Sequence, residues 1–182
     1  MLSTALGILR IAVGLILAGH GAQKLFGWFG GHGLSGTRDY LRSLGVPASN
    51  IMAALAAVLE FLAGLALALG LATPVAAAAI VSVLVAAMAV AHWPRFWATR
   101  GGIEYPLVLA AIAALFGLTG PGDYALDTVL GIAGSLPAVQ AFVASLGVGI
   151  VVVAAVLVVR RTEAAPAEEQ GHRQDGGITR AA

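Results

Sequence analysis

The segment Ile51–Leu71 reads IMAALAAVLEFLAGLALALGL and carries one charged residue, Glu60, near its middle. An α-helix needs about 20 predominantly apolar residues to cross the ~30 Å hydrocarbon core of a bilayer. Ser49 and Asn50 precede the segment, and either side chain is of a type that caps helix N-termini. The segment therefore predicts a transmembrane helix that begins near residue 51.

The composition of the whole chain agrees with a membrane protein. Of its 182 residues, 59% are hydrophobic and 10% are charged, whereas globular proteins carry about 25% charged residues. A net charge of +1 without a basic domain argues against nucleic acid as a partner. The absence of cysteine excludes disulfides, iron–sulfur ligation, zinc–thiolate sites and thiol chemistry. Arginine greatly outnumbers lysine and alanine and glycine are abundant, which is typical of a GC-rich bacterial source.

Four other segments are apolar enough to be spans, so we predict an all-α, polytopic membrane helix bundle with five crossings. A shorter one, Gly102–Thr119, ends at Gly120-Pro121-Gly122, which cannot continue a helix. Thr73 is the predicted cap, and Pro74 the predicted first-turn residue, of the span Pro74–Ala91. The segments are Thr4–Ala22, Pro74–Ala91, Gly102–Thr119 and Pro137–Val159.

The distribution of basic residues predicts the orientation. Connections after the first, third and fifth spans contain Lys or Arg, whereas 72–73 and 120–136 contain none. Because basic loops stay on the cytoplasmic side, we expect an outside N-terminus and a cytoplasmic C-terminus in a bacterial plasma membrane. The tryptophans lie beside the basic loops, as an interfacial aromatic belt requires: Trp28, Trp93 and Trp97.

The first span has an alternative interpretation as a signal peptide. Arg10 would be its basic region, Ile11–Gly19 its apolar region and Gly19–Ala22 its cleavage site. Removal of this segment would delete one span and reverse the predicted orientation.

Two segments outside the spans have distinct patterns. Within the connection Lys24–Asn50, apolar residues from Leu34 to Leu44 alternate with charged residues, which is typical of a short amphipathic helix on the membrane surface. An ordered loop is the alternative. The tail Thr162–Ala182 has almost no large apolar residues, and its composition predicts disorder.

Two charges, Arg10 and Glu60, fall inside predicted spans, where a charge needs a partner or a cavity. If the ends of the two antiparallel spans are level, the residues differ in depth by roughly 7 Å at 1.5 Å per residue. We therefore predict a buried Arg10–Glu60 pair, which either locks two helices together or lines a pocket and relays protons. Small residues repeat every seven positions on this side of the first span and predict close helix packing: Gly7, Gly14 and Gly21.

A second polar group follows from the predicted topology, which places His20, His92 and Glu104 at similar depth near the cytoplasmic ends of three spans. Such a group can hold a quinone head group, carry protons or ligate a metal; alternatively, each side chain reaches separately to water. The absence of an HxxH or HxxxH spacing makes metal the weakest option, so we predict no metal site. No axial-ligand pattern supports haem.

Four ordered motifs resemble the DoxX family of membrane proteins. The segment Gly19–Phe29, GHGAQKLFGWF, is similar to the end of that family's first helix, and Glu60–Thr73 to its second. Ala91–Pro106 and Gly120–Asp127 resemble its last two motifs. Pro94-Arg95 departs from the pattern, and residues 128–182 lie beyond the usual four-helix unit.

The resemblance implies a four-helix core over 1–127, followed by a connection and extra transmembrane helix over 128–161 and a disordered cytoplasmic tail over 162–182. DoxX members are associated with quinone-linked sulfur oxidation, as the small subunit of a thiosulfate:quinone oxidoreductase, and with oxidative-stress complexes. The resemblance names no catalytic residue, so whether the chain is an enzyme stays open.

We therefore expect a membrane subunit of a redox complex that is non-catalytic alone and contacts quinone or an oxidoreductase partner at its cytoplasmic face. Electrons would come from a cofactor of the partner. The alternatives are a small transporter gated by Glu60 and a membrane scaffold; the sequence leaves homo-oligomerisation open and predicts no covalently bound cofactor. The predicted ligand mouth comprises His20, Lys24, His92, Glu104 and Tyr105.

Overall fold

The structure, a computed structural model, describes residues 1–133 and 137–178, with side chains as far as Arg160. Within this part of the chain all regular structure is helical, which confirms the predicted all-α class. A π-helical turn, Met88–His92, extends α4, and short 3₁₀ turns lie at Trp28–Gly30 and Ala98–Arg100. The α-helices are α1 (Leu2–Phe26), α2 (Gly33–Ser43), α3 (Ser49–Leu69), α4 (Thr73–Ala87), α5 (Glu104–Thr119), α6 (Leu126–Val129) and α7 (Ala138–Ile178).

Four of the described helical segments are long and apolar enough to cross a membrane: Leu2–Phe26, Ser49–Leu69, Thr73–His92 and Ala138–Arg160. The fifth predicted span corresponds to α5, a shorter apolar helix of 16 residues. The structure is thus a polytopic helical bundle, and each predicted segment coincides with a helix.

The helices α1 and α3 form the closest contact of the bundle, and they run antiparallel. A methyl group added at Gly14 would lie 2.4 Å from the backbone nitrogen of Ala68, and one at Gly21 would lie 2.4 Å from that of Phe61. Because a Cβ does not fit at either position, the two backbones can touch. Two of the three predicted heptad glycines therefore set the register, whereas Gly7 faces the side chain of Tyr124.

The hydrophobic core lies where α1, α3, α4 and α5 converge. Its largest members are fully or almost fully buried, and they interdigitate across these four helices: Val13, Leu17, Leu67, Ile80, Leu84, Leu109 and Phe116. This packing makes α1 part of the bundle, which favours the interpretation of the first segment as a span.

Helix α7 lies against α4 and α5 and leaves most of its surface exposed, as a lipid-facing helix does. It touches α5 where Phe142 meets Gly117, and α4 where Gly149 meets Ser82. Its backbone remains helical to Ile178, although the composition predicts disorder from Thr162 onward. Alanine, glutamate and glutamine, which are frequent there, have high helix propensities. The division at 127 and 161 stays a prediction, and residues 179–182 lie outside the described residues.

The short α2 confirms the predicted helix within Lys24–Asn50; its position on a membrane surface stays a prediction. Its charged side chains form a local group, in which Arg38 donates a hydrogen bond of 2.9 Å to Asp39 and Arg42 lies 3.7 Å from the same carboxylate. The hydrogen bond from Arg38 holds the pKa of the Asp39 carboxyl below its usual range.

The two ends of the bundle differ in polarity. The basic end, where α1 ends and α3 begins, carries Lys24 and the loop 93–103, and α7 reaches it at Arg160. The tryptophans Trp28, Trp93 and Trp97 belong to this end and are exposed, as the predicted belt requires. The opposite end carries Arg10, the connection 70–72 and the segment 120–133.

The predicted side-chain caps are wrong, although Pro74 lies in the first turn of α4 as predicted. The helix α3 begins at Ser49 after Ala48, without a side-chain cap from Ser49 or Asn50. At α4, Asp127 supplies the cap: its carboxylate accepts hydrogen bonds from the backbone nitrogens of Ala72 (2.8 Å) and Thr73 (3.0 Å) and from the Thr73 hydroxyl (3.0 Å). A carboxylate at a helix N-terminus satisfies free N–H groups and is favoured by the helix dipole.

Candidate functional site

The buried cation of α1, Arg10, is 1% exposed and binds backbone carbonyls at the opposite end. Its guanidinium donates hydrogen bonds to the carbonyl oxygen of Pro121 and, at 2.6 Å, to that of Tyr124. Asp127 lies close enough to add an electrostatic attraction. Arg10 therefore holds the segment between α5 and α6 against the helix bundle through these hydrogen bonds.

The buried anion of α3, Glu60, is paired with Lys24 at the basic end. The two side chains differ in exposure: 5% for Glu60 and 35% for Lys24. The carboxylate is thus inside the bundle, and the ammonium group lies between the carboxylate and the surface.

The predicted Arg10–Glu60 pair is therefore corrected: both residues are buried, but each has another partner. The cause is the register of α1 and α3. The contacts of Gly14 with Ala68 and Gly21 with Phe61 place Glu60 level with residue 22 of α1, two positions from Lys24. Arg10 lies beside Gly70 instead. The predicted pair requires Thr4 and Leu71, the outer ends of the two predicted spans, to be level, whereas this register places Leu71 level with residue 11 of α1.

A hydrogen-bonded chain surrounds His20 at the basic end. The Nδ1 atom of His20 lies 3.1 Å from Oε1 of Gln23, whose Nε2 donates to the carbonyl oxygen of Phe29 at 3.2 Å. Because an amide oxygen only accepts, Nδ1 is the donor in this contact, and Nε2 lies 3.5 Å from the Tyr105 hydroxyl. Two predicted mouth residues, His20 and Tyr105, are thereby brought together across α1 and α5.

Two further predicted mouth residues, His92 and Glu104, hold the loop 93–103. Nδ1 of His92 donates to the carbonyl oxygen of Gly101 at 2.8 Å, and the carboxylate of Glu104 accepts from the backbone nitrogen of Ala98 at 2.8 Å. No hydrogen bond in the described part of the chain joins either residue to His20. A site shared by His20, His92 and Glu104 therefore remains a prediction.

Lys24 also borders a pocket of about 290 Å³ at the basic end, formed by the end of α1, the glycine-rich loop after it and α2. The hydroxyl of Thr37 donates to the carbonyl oxygen of Gly33 at 2.9 Å, which fixes its rotamer. The pocket is lined by Gln23, Lys24, Gly30, Gly31, His32, Gly36, Thr37 and Tyr40.

Lys24 thus belongs both to an ion pair with a buried carboxylate and to the lining of the pocket. Glu60 neutralises the ammonium charge of Lys24 from the buried side, and the Lys24 group has three N–H donors in total. The remaining donors can bind a carbonyl or phenolic oxygen in the pocket. No group of three His, Asp or Glu side chains in the described residues could hold a metal ion.

Several residues of the site and of the opposite end have no role that the sequence alone predicts. The Gly120–Asp127 motif assigns no role to Asp127, although aspartate is a residue type that frequently caps helix N-termini. Gln23, Thr37 and Tyr40 become relevant only through the fold of the connection, because no local spacing relates α2 to Lys24.

Comparison with known proteins adds one finding. Residues 5–93 match the family model described as DoxX. This range contains His20, Lys24, Glu60 and the pocket beside them; the similarity of residues 94–127 to later motifs stays a prediction. No curated protein and no solved structure matches the chain.

Proposed function

Because residues 5–93 make this chain a member of the DoxX family, we propose that it is the membrane subunit of a redox complex and holds a quinone head group beside Lys24. The observation that carries the proposal is the position of the Lys24 ammonium group. This group is paired with buried Glu60, and Lys24 also lines the pocket.

The pocket fits a head group in size and chemistry. Its volume of about 290 Å³ is at the lower end of the range for small-molecule sites, so a single substituted ring would enter while an isoprenoid tail remained in lipid. Carbonyl oxygens of a quinone need hydrogen-bond donors, which Lys24 supplies with charge assistance and the Gln23 and Tyr40 side chains supply as neutral groups.

When bound, a quinone would supply two-electron, two-proton redox chemistry. The protein holds a proton at Nζ of Lys24, and Glu60 compensates that charge inside the bundle. The chain contains no cysteine, so we assign the source of electrons to a cofactor of an oxidoreductase partner. The chain is then non-catalytic by itself.

The alternative of a transporter gated by Glu60 has less support. Between Glu60 and the opposite end, α1 and α3 pack so closely that a methyl group at Gly64 would lie 2.4 Å from the backbone nitrogen of Ala18. This contact leaves no path between the two helices, and Glu60 is already paired. A scaffold without a ligand is the outcome if no quinone binds.

The proposal includes a location. We place the basic end at the cytoplasmic face of a bacterial plasma membrane, since Lys and Arg of its connections favour that side. The Lys24 pocket would then face a partner on the cytoplasmic side or in the membrane.

Binding of a soluble short-chain benzoquinone to the detergent-purified protein, measured by calorimetry, tests the proposal. The variant Lys24→Gln with Glu60→Gln keeps a neutral hydrogen-bonding pair and removes the cation. We expect at least tenfold weaker binding, since a hydrogen bond to a charged group contributes about 1.5–3 kcal/mol. The matched control, Arg38→Gln with Asp39→Asn, removes an ion pair of the same end that does not line the pocket. Absence of binding, or equal affinity of both variants and the unmodified protein, would contradict the proposal.

A further inference from the structure

A second cleft, of about 660 Å³, lies between α4, the start of α5 and α7. The helices α4 and α7 touch where Gly149 meets Ser82 and separate toward the basic end. The π-helical turn Met88–His92 forms part of the wall; such turns are rare and are frequently found at functional sites. The lining residues are Val85, Met88, Ala89, Trp93, Ile103, Leu157 and Arg160.

Among the residues whose side chains the structure describes, Arg160 is the one charged residue that lines this otherwise apolar cleft. It is half-buried, and within residues 1–133 and 137–160 it forms no hydrogen bond or ion pair. An unpaired guanidinium beside apolar walls favours an anionic group that can pair with it.

The dimensions of the cleft match one leaflet of a bilayer. Eleven residues separate Gly149, at the closed end, from Arg160, which is about 16 Å along an α-helix. This length is about half of the ~30 Å hydrocarbon core. Arg160 and Trp93 lie together at the wide end, and these are residue types that are placed at head-group level.

We propose that this cleft binds one anionic phospholipid, with an acyl chain between α4 and α7 and the phosphate on Arg160. The apolar walls, which are as long as one leaflet, accommodate the acyl chain, and the unpaired Arg160 selects the anionic head group. Basic pockets between transmembrane helices are a known type of anionic-lipid site. This site is distinct from the Lys24 pocket, since the two share none of the lining residues whose side chains are described.

The test uses Trp93 as a reporter. In a variant with Trp28→Phe and Trp97→Phe, Trp93 is the remaining tryptophan, and its fluorescence is quenched by lipids with brominated acyl chains. We titrate detergent-solubilised protein with brominated phosphatidylglycerol and, separately, brominated phosphatidylcholine. We expect half-maximal quenching at about fivefold less phosphatidylglycerol, the gain expected for one arginine facing an anionic lipid.

Three further variants in the same background decide the interpretation. Arg160→Gln should abolish the preference, Ala89→Phe should weaken quenching by both lipids because it fills the cleft, and Arg100→Gln, a control at an exposed position of the same end, should change neither. Equal quenching by the two lipids, or an unchanged preference in Arg160→Gln, overturns the proposal. The Lys24→Gln, Glu60→Gln protein should retain the preference, so a failure of quinone binding is distinguishable from a failure of lipid binding.

Discussion

Two basic residues of α1 are accommodated inside the bundle by different means. Arg10 donates to the carbonyl oxygens of Pro121 and Tyr124, and Lys24 pairs with the carboxylate of Glu60. The Arg10 guanidinium is enclosed by the bundle, with two bonds to carbonyls and a buried Nε that has no partner in the described residues, whereas the side chain of Lys24 remains 35% exposed. Arg10 thus has a structural role, and Lys24 is available for a ligand.

These contacts predict which charges are energetically coupled. A double-mutant cycle of Lys24→Met and Glu60→Leu should give an interaction energy within the range of about 0.5–3 kcal/mol found for residues in contact. The Lys24→Met change alone should be the more destabilising single change, because it leaves the buried Glu60 carboxylate without its partner. The measurement is reversible unfolding of the protein in mixed micelles.

The control is a cycle of Arg10→Met and Glu60→Leu, whose residues do not touch. Its effects should add within about 0.5 kcal/mol. Strong coupling between Arg10 and Glu60, together with additivity of Lys24 and Glu60, would support an Arg10–Glu60 pair and refute the register described above.

At the residue scale, burial could be predicted and partners could not. Arg10 and Glu60 lie within apolar runs, and that local property places them inside the bundle. The partners of Arg10 are backbone carbonyls, which have no signature in the sequence. The partner of Glu60 depends on how far α1 slides along α3, which neither segment specifies alone.

The α1–α3 contact depends on particular glycines, and this gives a prediction at the scale of elements. Gly14→Ala and Gly21→Ala should each destabilise the protein by about 1–3 kcal/mol, because the new methyl group meets backbone at 2.4 Å. Gly19→Ala is the matched control, since a Cβ added there would meet nothing within 4 Å; we expect a gain of about 0.5–1 kcal/mol there. Thermal unfolding followed by circular dichroism measures all three. Equal effects at the three positions would argue against this helix contact.

The helices themselves could be predicted because apolar length is encoded locally. Each of the five predicted segments coincides with a helix, and two heptad glycines lie at the predicted close contact. The caps could not be predicted in the same way, since the α4 cap comes from Asp127, 54 positions away in sequence from Thr73. The roles of His92 and Glu104 depend similarly on the conformation of the loop between them.

For the whole molecule, the parallel course of α4 and α7 places Arg160 at the same end as Lys24, and we propose that this end is cytoplasmic. Fluorescent protein fused after Arg161 should therefore fluoresce in cells, and alkaline phosphatase fused there should be inactive. Phosphatase inserted after residue 133 should be active, because that segment belongs to the opposite end. The reverse pattern would contradict the orientation and move the Lys24 pocket to the outer face.

The central claim, a quinone head group beside Lys24, is tested most directly by photoaffinity labelling. Membranes that contain the protein are illuminated with an azido-quinone, and labelled peptides are located by mass spectrometry, with excess unlabelled quinone as competitor. We predict competable label within residues 20–40, which include the pocket-lining Gln23, Lys24, His32 and Thr37. Competable label confined to residues 120–133 at the opposite end, or label that excess quinone does not reduce, would contradict the claim.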